Sequence, residues 1–167
     1  KDKNPVMFIE HRWLHNIKGP KVIVSEQKGK IGVAEVIRVG KDITIVSWSY
    51  MIYECLKAAE FLAKQGVSCE VIDLQTIRPM DYKTIEYSVV KTGKLLVVEE
   101  AWEFNSVSGE VLAHFTDRAF THLKIKSKRL NCPDYYVPSS HGLAKTFYPT
   151  VSTIMAKAYD LMGMATA

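Results

Sequence analysis

The chain has 167 residues, of which 47% are hydrophobic and 24% are charged, an ordinary composition for one globular domain. Its formal net charge of +4 is too small to indicate a nucleic-acid partner, and no apolar run approaches the roughly 20 residues that cross a bilayer. We therefore expect a single hydrophobic core, no nucleic-acid partner and no membrane partner.

The amino-terminal part has the pattern of a strand followed by a connection. Residues 4–10 form an apolar run that is not preceded by the charged and cleavage-site pattern of a signal peptide. Residues 16–30 are rich in Lys and Gly and contain Pro20, which is the composition of a link between domains. Because the first residue is Lys1 rather than Met, we expect the chain to be a piece excised from a longer protein.

Two strand patterns and a helix pattern come next. Residues 34–39 and 42–47 have strand composition with Gly40-Lys41 between them in hairpin position, so we expect an antiparallel edge strand to enter first. The second strand leads into a helix with apolar positions between residues 52 and 63, and Gly66 is expected to end it.

A second strand and helix pair follows directly. Residues 70–74 predict a buried strand. Asp81 is a suitable N-cap for a helix that runs to Thr92, and Gly93 stands where the helix should end.

The remaining elements repeat this order. Residues 95–98 predict a third buried strand, and residues 107–120 predict the helix after it. A short strand at 129–132, a loop that reaches Pro149 and an amphipathic helix over 151–162 complete the chain.

Apolar strands that alternate with helices are typical of a parallel sheet covered by helices on both faces. We therefore predict an α/β fold, a three-layer sandwich whose sheet is mostly parallel with one antiparallel edge strand. In such sheets ligands and partners meet the carboxyl ends of the strands, which are expected at residues 47–49, 73–78, 99–104 and 133–141.

The end of the second buried strand is the most informative stretch, because it carries Asp73, Thr76, Arg78 and Pro79. Arginine is suited to bidentate pairing with a carboxylate, and Asp73 or Glu99 is the nearest candidate by topology. Two interpretations stay open: a polar clamp that holds the loop, or a ligand contact.

The cysteines and the first two histidines do not indicate a disulfide or a metal site. The three cysteines, Cys55, Cys69 and Cys132, lie far apart within or beside apolar segments, which indicates neither a disulfide framework nor a zinc site. A reducing intracellular compartment fits this pattern. His11 and His15 are spaced like metal ligands on a helix, but no third ligand is evident.

Adjacent polar residues give no catalytic pair. Ser140 and His141 are neighbours in sequence, which does not provide the geometry between nucleophile and base of a hydrolase. Glu99 and Glu100 are neighbours on a strand and should point to opposite faces, so we expect them to serve pairing and loop anchoring.

A basic cluster precedes the last strand, at Lys124, Lys126, Lys128 and Arg129. The positive charges alternate with uncharged residues. The cluster is interpreted either as a solvated strand entrance or as a docking patch for an acidic partner.

Four segments carry a resemblance to a known family: residues 4–12, residues 42–47, the stretch 73–81, and residues 95–100 followed by Ser108-Gly109-Glu110-Val111. In order and spacing they resemble the C-terminal domain of transketolase-like enzymes, most closely the beta subunit of the 2-oxo-acid (pyruvate or branched-chain) dehydrogenase decarboxylating component. The resemblance implies three parts: 1–15 as the last strand of a preceding pyrimidine-binding domain, 16–33 as a linker, and 34–167 as the C-terminal domain. Residues 105–109 and Leu143-Ala144 depart from the usual pattern, which leaves the 2-oxo acid open.

The resemblance implies a parent enzyme that oxidatively decarboxylates a 2-oxo acid on thiamine diphosphate and magnesium and passes the acyl unit to a lipoyl carrier. It implies an alpha subunit and a second beta subunit as partners, with the lipoyl acyltransferase core as a further one. The implied location is a bacterial cytoplasm or the mitochondrial matrix, with the cytoplasm favoured. The alternatives are a transketolase or deoxyxylulose-phosphate-synthase-like ketol transferase, and a free-standing interaction module.

In the family, a Gly-Asp-Gly segment and a later Asn bind magnesium and diphosphate, and a glutamate of another domain binds the aminopyrimidine ring. None of the nine glycines here forms Gly-Asp-Gly, so the chain alone is expected to be inactive and to bind no cofactor. We assign no catalytic, cofactor-binding or metal-binding residue. A structural or interface role is expected for Asp73, Thr76, Arg78, Pro79, Glu99, Glu100, Gly109, Glu110 and His141.

Overall fold

The computed structural model of the protein describes residues 3–19 and 30–164. Short 3₁₀ turns lie at Arg12–Asn16 and Phe120–His122. The other elements follow one another as β1 (Glu35–Arg38), β2 (Ile43–Ser47), α1 (Met51–Lys64), β3 (Cys69–Asp73), α2 (Tyr82–Thr92), β4 (Leu95–Trp102), α3 (Val107–Asp117), β5 (Lys128–Cys132), α4 (His141–Phe147) and α5 (Val151–Met162).

Five strands form one sheet in the order β1-β3-β2-β4-β5. The four strands β2 to β5 are parallel to one another, and β1 runs antiparallel to its neighbour β3 at the sheet edge. The two faces of the sheet bury separate apolar clusters, one under α1 and α5 and the other under α2 and α3. The predicted three-layer α/β sandwich with one antiparallel edge strand is therefore confirmed.

The ends of the helices follow the local signals of the sequence. The side chain of Asp81 accepts the N–H of Thr84 at 3.2 Å and caps α2. Gly93 ends that helix with a φ of 70°, a left-handed conformation that suits a residue without a Cβ. Among the described residues, no helix combines the length and the apolar character that a bilayer crossing requires.

The predicted hairpin between the first two strands is wrong, because β3 lies between β1 and β2. Gly40-Lys41 crosses the start of β3, where the N–H groups of Lys41 and Asp42 donate to the carbonyl oxygen of Ser68 at 3.1 and 2.9 Å. A Cβ at Gly40 would stand 2.1 Å from the carbonyl carbon of Cys69. The link is thus a close crossover instead of a turn, and this close approach requires glycine.

The strand predicted at residues 4–10 is not formed. Val6, Met7, Phe8 and Ile9 are 73–85% exposed, and no described strand pairs with this segment. A strand needs a neighbour for its backbone hydrogen bonds, so an apolar pattern alone does not produce one. The assignment of residues 1–15 to a preceding domain stays a prediction, and residues 20–29 of the predicted linker lie outside the described part of the chain.

Other assignments also differ from expectation, and α3 ends at Asp117 instead of residue 120. β4 continues beyond Val98 to Trp102, and the loop expected before Pro149 contains the helix α4. Only Phe147 of α4 is buried, so this helix lacks the apolar periodicity by which helices are found in a sequence.

Candidate functional site

The ends of β2, β3, β4 and β5 meet along one side of the sheet, which we call the carboxyl edge. Ser47 ends β2 and Asp73 ends β3, and these two residues are register partners. Trp102 and Cys132 are register partners at the ends of β4 and β5. Of the candidate residues, Asp73, Glu99 and Glu100 lie in the strands themselves, and Thr76, Arg78 and Pro79 lie in the segment that follows β3. The remaining three, Gly109, Glu110 and His141, lie in the first turns of α3 and α4.

Glu99 is buried on β4, and its carboxylate accepts three hydrogen bonds. The donors are the backbone N–H groups of Val107 (3.3 Å) and Ser108 (2.8 Å), and the side-chain amide of Asn131 (3.2 Å). The first two donors are the free N–H groups at the start of α3, where negative charge is stabilised. Glu99 therefore joins α3 and β5 to β4, which is an anchoring role.

Gly109 and Glu110 lie in the first turn of α3 beside this anchor. A Cβ at Gly109 would stand 3.1 Å from the guanidinium of Arg129, so the glycine leaves room for that side chain. Arg129 donates to the hydroxyl of Ser106 (3.2 Å) and to the carboxylate of Glu103 (3.0 Å). Glu110 is exposed.

Sequence reasoning missed Asn131 and placed Arg129 only in a basic cluster. Asn131 also accepts the hydroxyl of Ser108 at 3.0 Å. These contacts depend on the register of β5 against β4, for which the local sequence carries no signal.

Glu100 points away from Glu99, as expected for neighbours on a strand, and meets His11 at 3.0 Å. Burial raises the pKa of Glu100, and His11 acts in the opposite direction. The His11 ring stacks on Tyr50, with 5.1 Å between ring centroids. His15 contacts Glu10 instead (2.9 Å), so the two histidines share no site.

A pocket of about 350 Å³ is lined in part by Trp13 and Tyr50, the two rings that the His11 ring contacts. The Trp13 ring contacts the rings of Tyr50 and Tyr148 edge to face, with centroids 5.1 and 5.4 Å away. His141, the first residue of α4, lies on the wall of the pocket. Residues lining the pocket are Trp13, Tyr50, Met51, Glu54, His141, Ala144, Lys145, Tyr148, Pro149 and Thr150.

Thr76 and Asp81 hold the chain that enters β1. The hydroxyl of Thr76 accepts the N–H of Gly32 (2.9 Å) and donates to the carbonyl of Pro79 (3.1 Å). The carboxylate of Asp81 accepts the N–H of Ala34 (3.0 Å) in addition to capping α2. These contacts tie residues 32–34 to the loop after β3, and the choice between a polar clamp and a ligand contact stays a prediction.

Arg78 takes no part in these contacts, and the pairing predicted for it is wrong. Its side chain is exposed, and neither Asp73 nor Glu99 nor any other described residue forms an ion pair with it. β2 separates β3 from β4, and the Glu99 carboxylate is already occupied by α3. Asp73 instead accepts the N–H of Gln75 at 3.2 Å, and burial raises the pKa of Asp73.

The carboxyl edge exposes large apolar and aromatic side chains. The exposed fractions are 48% for Trp102, 80% for Phe104, 89% for Tyr136 and 61% for Leu143. Within residues 3–19 and 30–164, no group of His, Cys, Asp and Glu side chains could hold a metal ion. This arrangement suits contact with a protein surface.

The sequence model of the family described as "Transketolase, C-terminal domain" matches residues 32–154. The chain belongs to this family. The match spans every strand and nearly every helix of the sandwich.

Two curated relatives extend the comparison. The pyruvate dehydrogenase E1 component subunit beta of Dictyostelium discoideum is 40% identical over 148 residues, which are 86% of this chain and 41% of that protein. The acetoin:2,6-dichlorophenolindophenol oxidoreductase subunit beta of Cupriavidus necator is 35% identical over 162 residues, which are 97% of this chain and 48% of that protein. The chain therefore spans less than half of the length of these relatives.

A solved structure described as "Split gene transketolase, inactive beta4 tetramer" superposes on this transketolase C-terminal domain with a TM-score of 0.74. The match covers 88% of this chain and 48% of that one at 21% identity, so it shows the shared fold alone.

The residues present do not fit thiamine diphosphate, the cofactor that the resemblance implied. The sequence contains no Gly-Asp-Gly segment, and the carboxylates of Asp73, Glu99 and Glu100 at the carboxyl edge already have partners in Gln75, α3 and His11 respectively. No step of catalysis is therefore assigned to this transketolase C-terminal domain.

Proposed function

We propose that the chain is the C-terminal assembly domain of the beta subunit of a thiamine-diphosphate-dependent 2-oxo-acid dehydrogenase. The observation that carries the proposal is the 40% identity with a pyruvate dehydrogenase beta subunit across 86% of this chain. The parent enzyme would decarboxylate a 2-oxo acid and pass the acyl unit to a lipoyl carrier. The cofactor and magnesium would supply that chemistry from other domains.

The role proposed for this domain is to hold subunits together through its carboxyl edge. Exposed aromatic side chains such as Phe104 and Tyr136 are typical of protein interfaces. The proposed partners are an alpha subunit and a second beta subunit, with the lipoyl acyltransferase core as a further contact. The solved protein with the same fold is itself a beta4 tetramer, and self-association of this kind is what we propose here. The proposed location is the bacterial cytoplasm or the mitochondrial matrix.

A second candidate function is oxidation of acetoin. The relative from Cupriavidus necator aligns with 97% of the chain, a larger share than the pyruvate dehydrogenase relative from Dictyostelium discoideum does. Both candidates need a beta subunit with this domain, so they differ in substrate and not in the role of the carboxyl edge. Ketol transfer is supported by likeness of fold alone.

The activity is tested on the full-length protein that contains this chain, produced together with its alpha subunit. The assay measures thiamine-diphosphate-dependent reduction of dichlorophenolindophenol with pyruvate, with branched-chain 2-oxo acids or with acetoin. We expect activity with a 2-oxo acid. Activity with acetoin alone favours the second candidate, and an assembled complex without any of these activities contradicts both.

The assembly role is tested with Tyr136→Asp, which places a charge on the carboxyl edge. The matched control is Tyr87→Asp on α2, because the two tyrosines are 89% and 86% exposed. We expect Tyr136→Asp to weaken subunit association in sedimentation velocity and Tyr87→Asp to leave it unchanged. Equal association by both variants would remove the carboxyl edge as the interface.

A further inference from the structure

A groove of about 650 Å³ lies beside the start of β5, on the outer side of the sheet. β5 is the last strand of the sheet, and no other described strand pairs with its outer side. Leu112 of α3 lines one wall and Lys157 of α5 lines the other. The residues around the groove are Glu103, Gly109, Leu112, Lys126, Ser127, Lys128, Arg129 and Lys157, and we call it the β5 groove.

The β5 groove carries net positive charge. Four cationic side chains line it, and two carboxylates oppose them: Arg129 pairs with Glu103, and Lys128 pairs with Asp160. Lys157 also attracts the Asp160 carboxylate and helps Lys128 to lower its pKa, so one negative charge is shared between two lysines. Lys126 is exposed and has no ion-pair partner among the described residues.

The side chains of β5 point to the two faces of the sheet and leave its outer backbone edge facing the β5 groove. On one face, the Lys128 side chain donates a hydrogen bond to Asp160 of α5, and Leu130 packs on the apolar cluster under α1 and α5. Arg129 and Asn131 reach the opposite face, where they meet the first turn of α3. This alternation is that of a regular strand, whose edge N–H and C=O groups can bind a further strand.

We propose that the β5 groove binds an extended acidic segment of a partner protein, which adds to the sheet as a strand beside β5. The main-chain groups of β5 supply the hydrogen bonds, and the lysines select for carboxylate side chains. The same positive charges disfavour pairing with the edge of a second copy, because like charges would face each other across the new strand pair. The inference is independent of the parent enzyme's substrate.

The test measures fluorescence anisotropy of a labelled peptide of about ten residues that alternates Glu with Val and Thr, titrated with the 167-residue chain. We expect saturable binding that weakens as the ionic strength rises from about 0.02 M to about 0.15 M. The double variant Lys126→Glu with Lys157→Glu should reduce affinity by about tenfold or more. The control variant, Lys64→Glu with Lys83→Glu, makes the same change in net charge away from the β5 groove and should bind like the wild type.

Two further probes separate strand addition from general attraction to positive charge. A peptide of the same sequence with an N-methyl group on every amide has no N–H donor on either edge, cannot form the ladder of hydrogen bonds, and should bind about tenfold more weakly. Single-stranded oligothymidylate of equal charge should also bind more weakly. Equal binding of either probe, equal loss in the two double variants, or no binding of the acidic peptide at low salt would each overturn the proposal.

Discussion

Three glutamates on the strands of this domain show how the surroundings of a carboxylate decide its role. Glu99 accepts backbone N–H groups at the start of α3 and acts as an anchor. Glu100 faces the aromatic pocket, where burial raises its pKa and His11 is its partner. Glu70 lies at the other end of the sheet and accepts a hydrogen bond from Lys91.

Glu70 should make stability depend on pH in the acid range. Its burial raises the pKa, but the hydrogen bonds from Lys91, Ser88 and the N–H of Gly40 outweigh burial and hold the pKa below its ordinary value of 4.5. A lowered pKa stabilises the fold above the unfolded-state value, and this stabilisation is lost as pH falls through the folded-state pKa. Glu70→Gln should therefore lower Tm at neutral pH and flatten the fall of Tm on acidification.

The measurement is Tm by circular dichroism from about pH 3 to about pH 7. Glu103→Gln is the control, because its side chain is exposed and pairs only at the surface with Arg129. A Glu70→Gln curve that runs parallel to that of the wild type would refute this account of the Glu70 contacts.

The first turn of α3 is held to the sheet by one buried carboxylate, whereas Val111 and Phe115 pack the helix on the sheet face. Glu99→Ala leaves the donors of Val107, Ser108 and Asn131 without their acceptor, and unpaired buried donors cost roughly 2 to 4 kcal/mol together. Glu103→Ala, which removes only an exposed pair, should cost less than about 1 kcal/mol. Guanidinium denaturation of the two variants checks the difference, and similar midpoints would mean that Glu99 is not the anchor of α3.

The crossover before β2 depends on the absence of a side chain. An alanine at Gly40 would place its Cβ 2.1 Å from the backbone of Cys69, so strand β3 or the crossover must move. We expect Gly40→Ala to cost about 3 kcal/mol or more in the free energy of unfolding. Gly19→Ala is the comparison, since nothing lies within 4 Å of a Cβ there, and it should change the free energy little. A Gly40→Ala variant as stable as Gly19→Ala would show that the close approach is not maintained in solution.

At the scale of the whole molecule, the surfaces offered to partners are distinct. The carboxyl edge is aromatic and apolar, whereas the β5 groove is basic and lies beside the start of the last strand. The segment with Val6 to Ile9 adds a further exposed apolar run. Exposed surfaces of these two kinds are consistent with the assembly role proposed above.

The 167-residue chain is therefore expected not to bind thiamine diphosphate by itself. Titration calorimetry with magnesium present should give no saturable heat up to about 1 mM cofactor. The assembled enzyme with its alpha subunit is the positive control. A dissociation constant in the micromolar range or tighter for the chain alone would contradict its assignment as an assembly domain.

Elements with local signals can be predicted from the amino-acid sequence. The apolar strand runs, the Asp81 cap and the Gly93 end of α2 were all predicted, because each depends on neighbours within a few residues. The three-layer class followed from the alternation of these elements, and the resemblance to the transketolase C-terminal domain came from the order of the motifs.

Which elements become neighbours depends on the packing of the whole fold. Strand β3 lies between β1 and β2, which follow each other in the chain. Glu99 contacts Asn131 and Glu100 contacts His11, and both pairs are far apart in sequence. Arg78 pairs with neither of the carboxylates that were its candidates. Strand order and register arise from packing of the whole sheet, and the local sequence does not encode which carboxylate a distant side chain will reach. For the same reason the apolar run at residues 4–10 forms no strand, because no described strand is its neighbour.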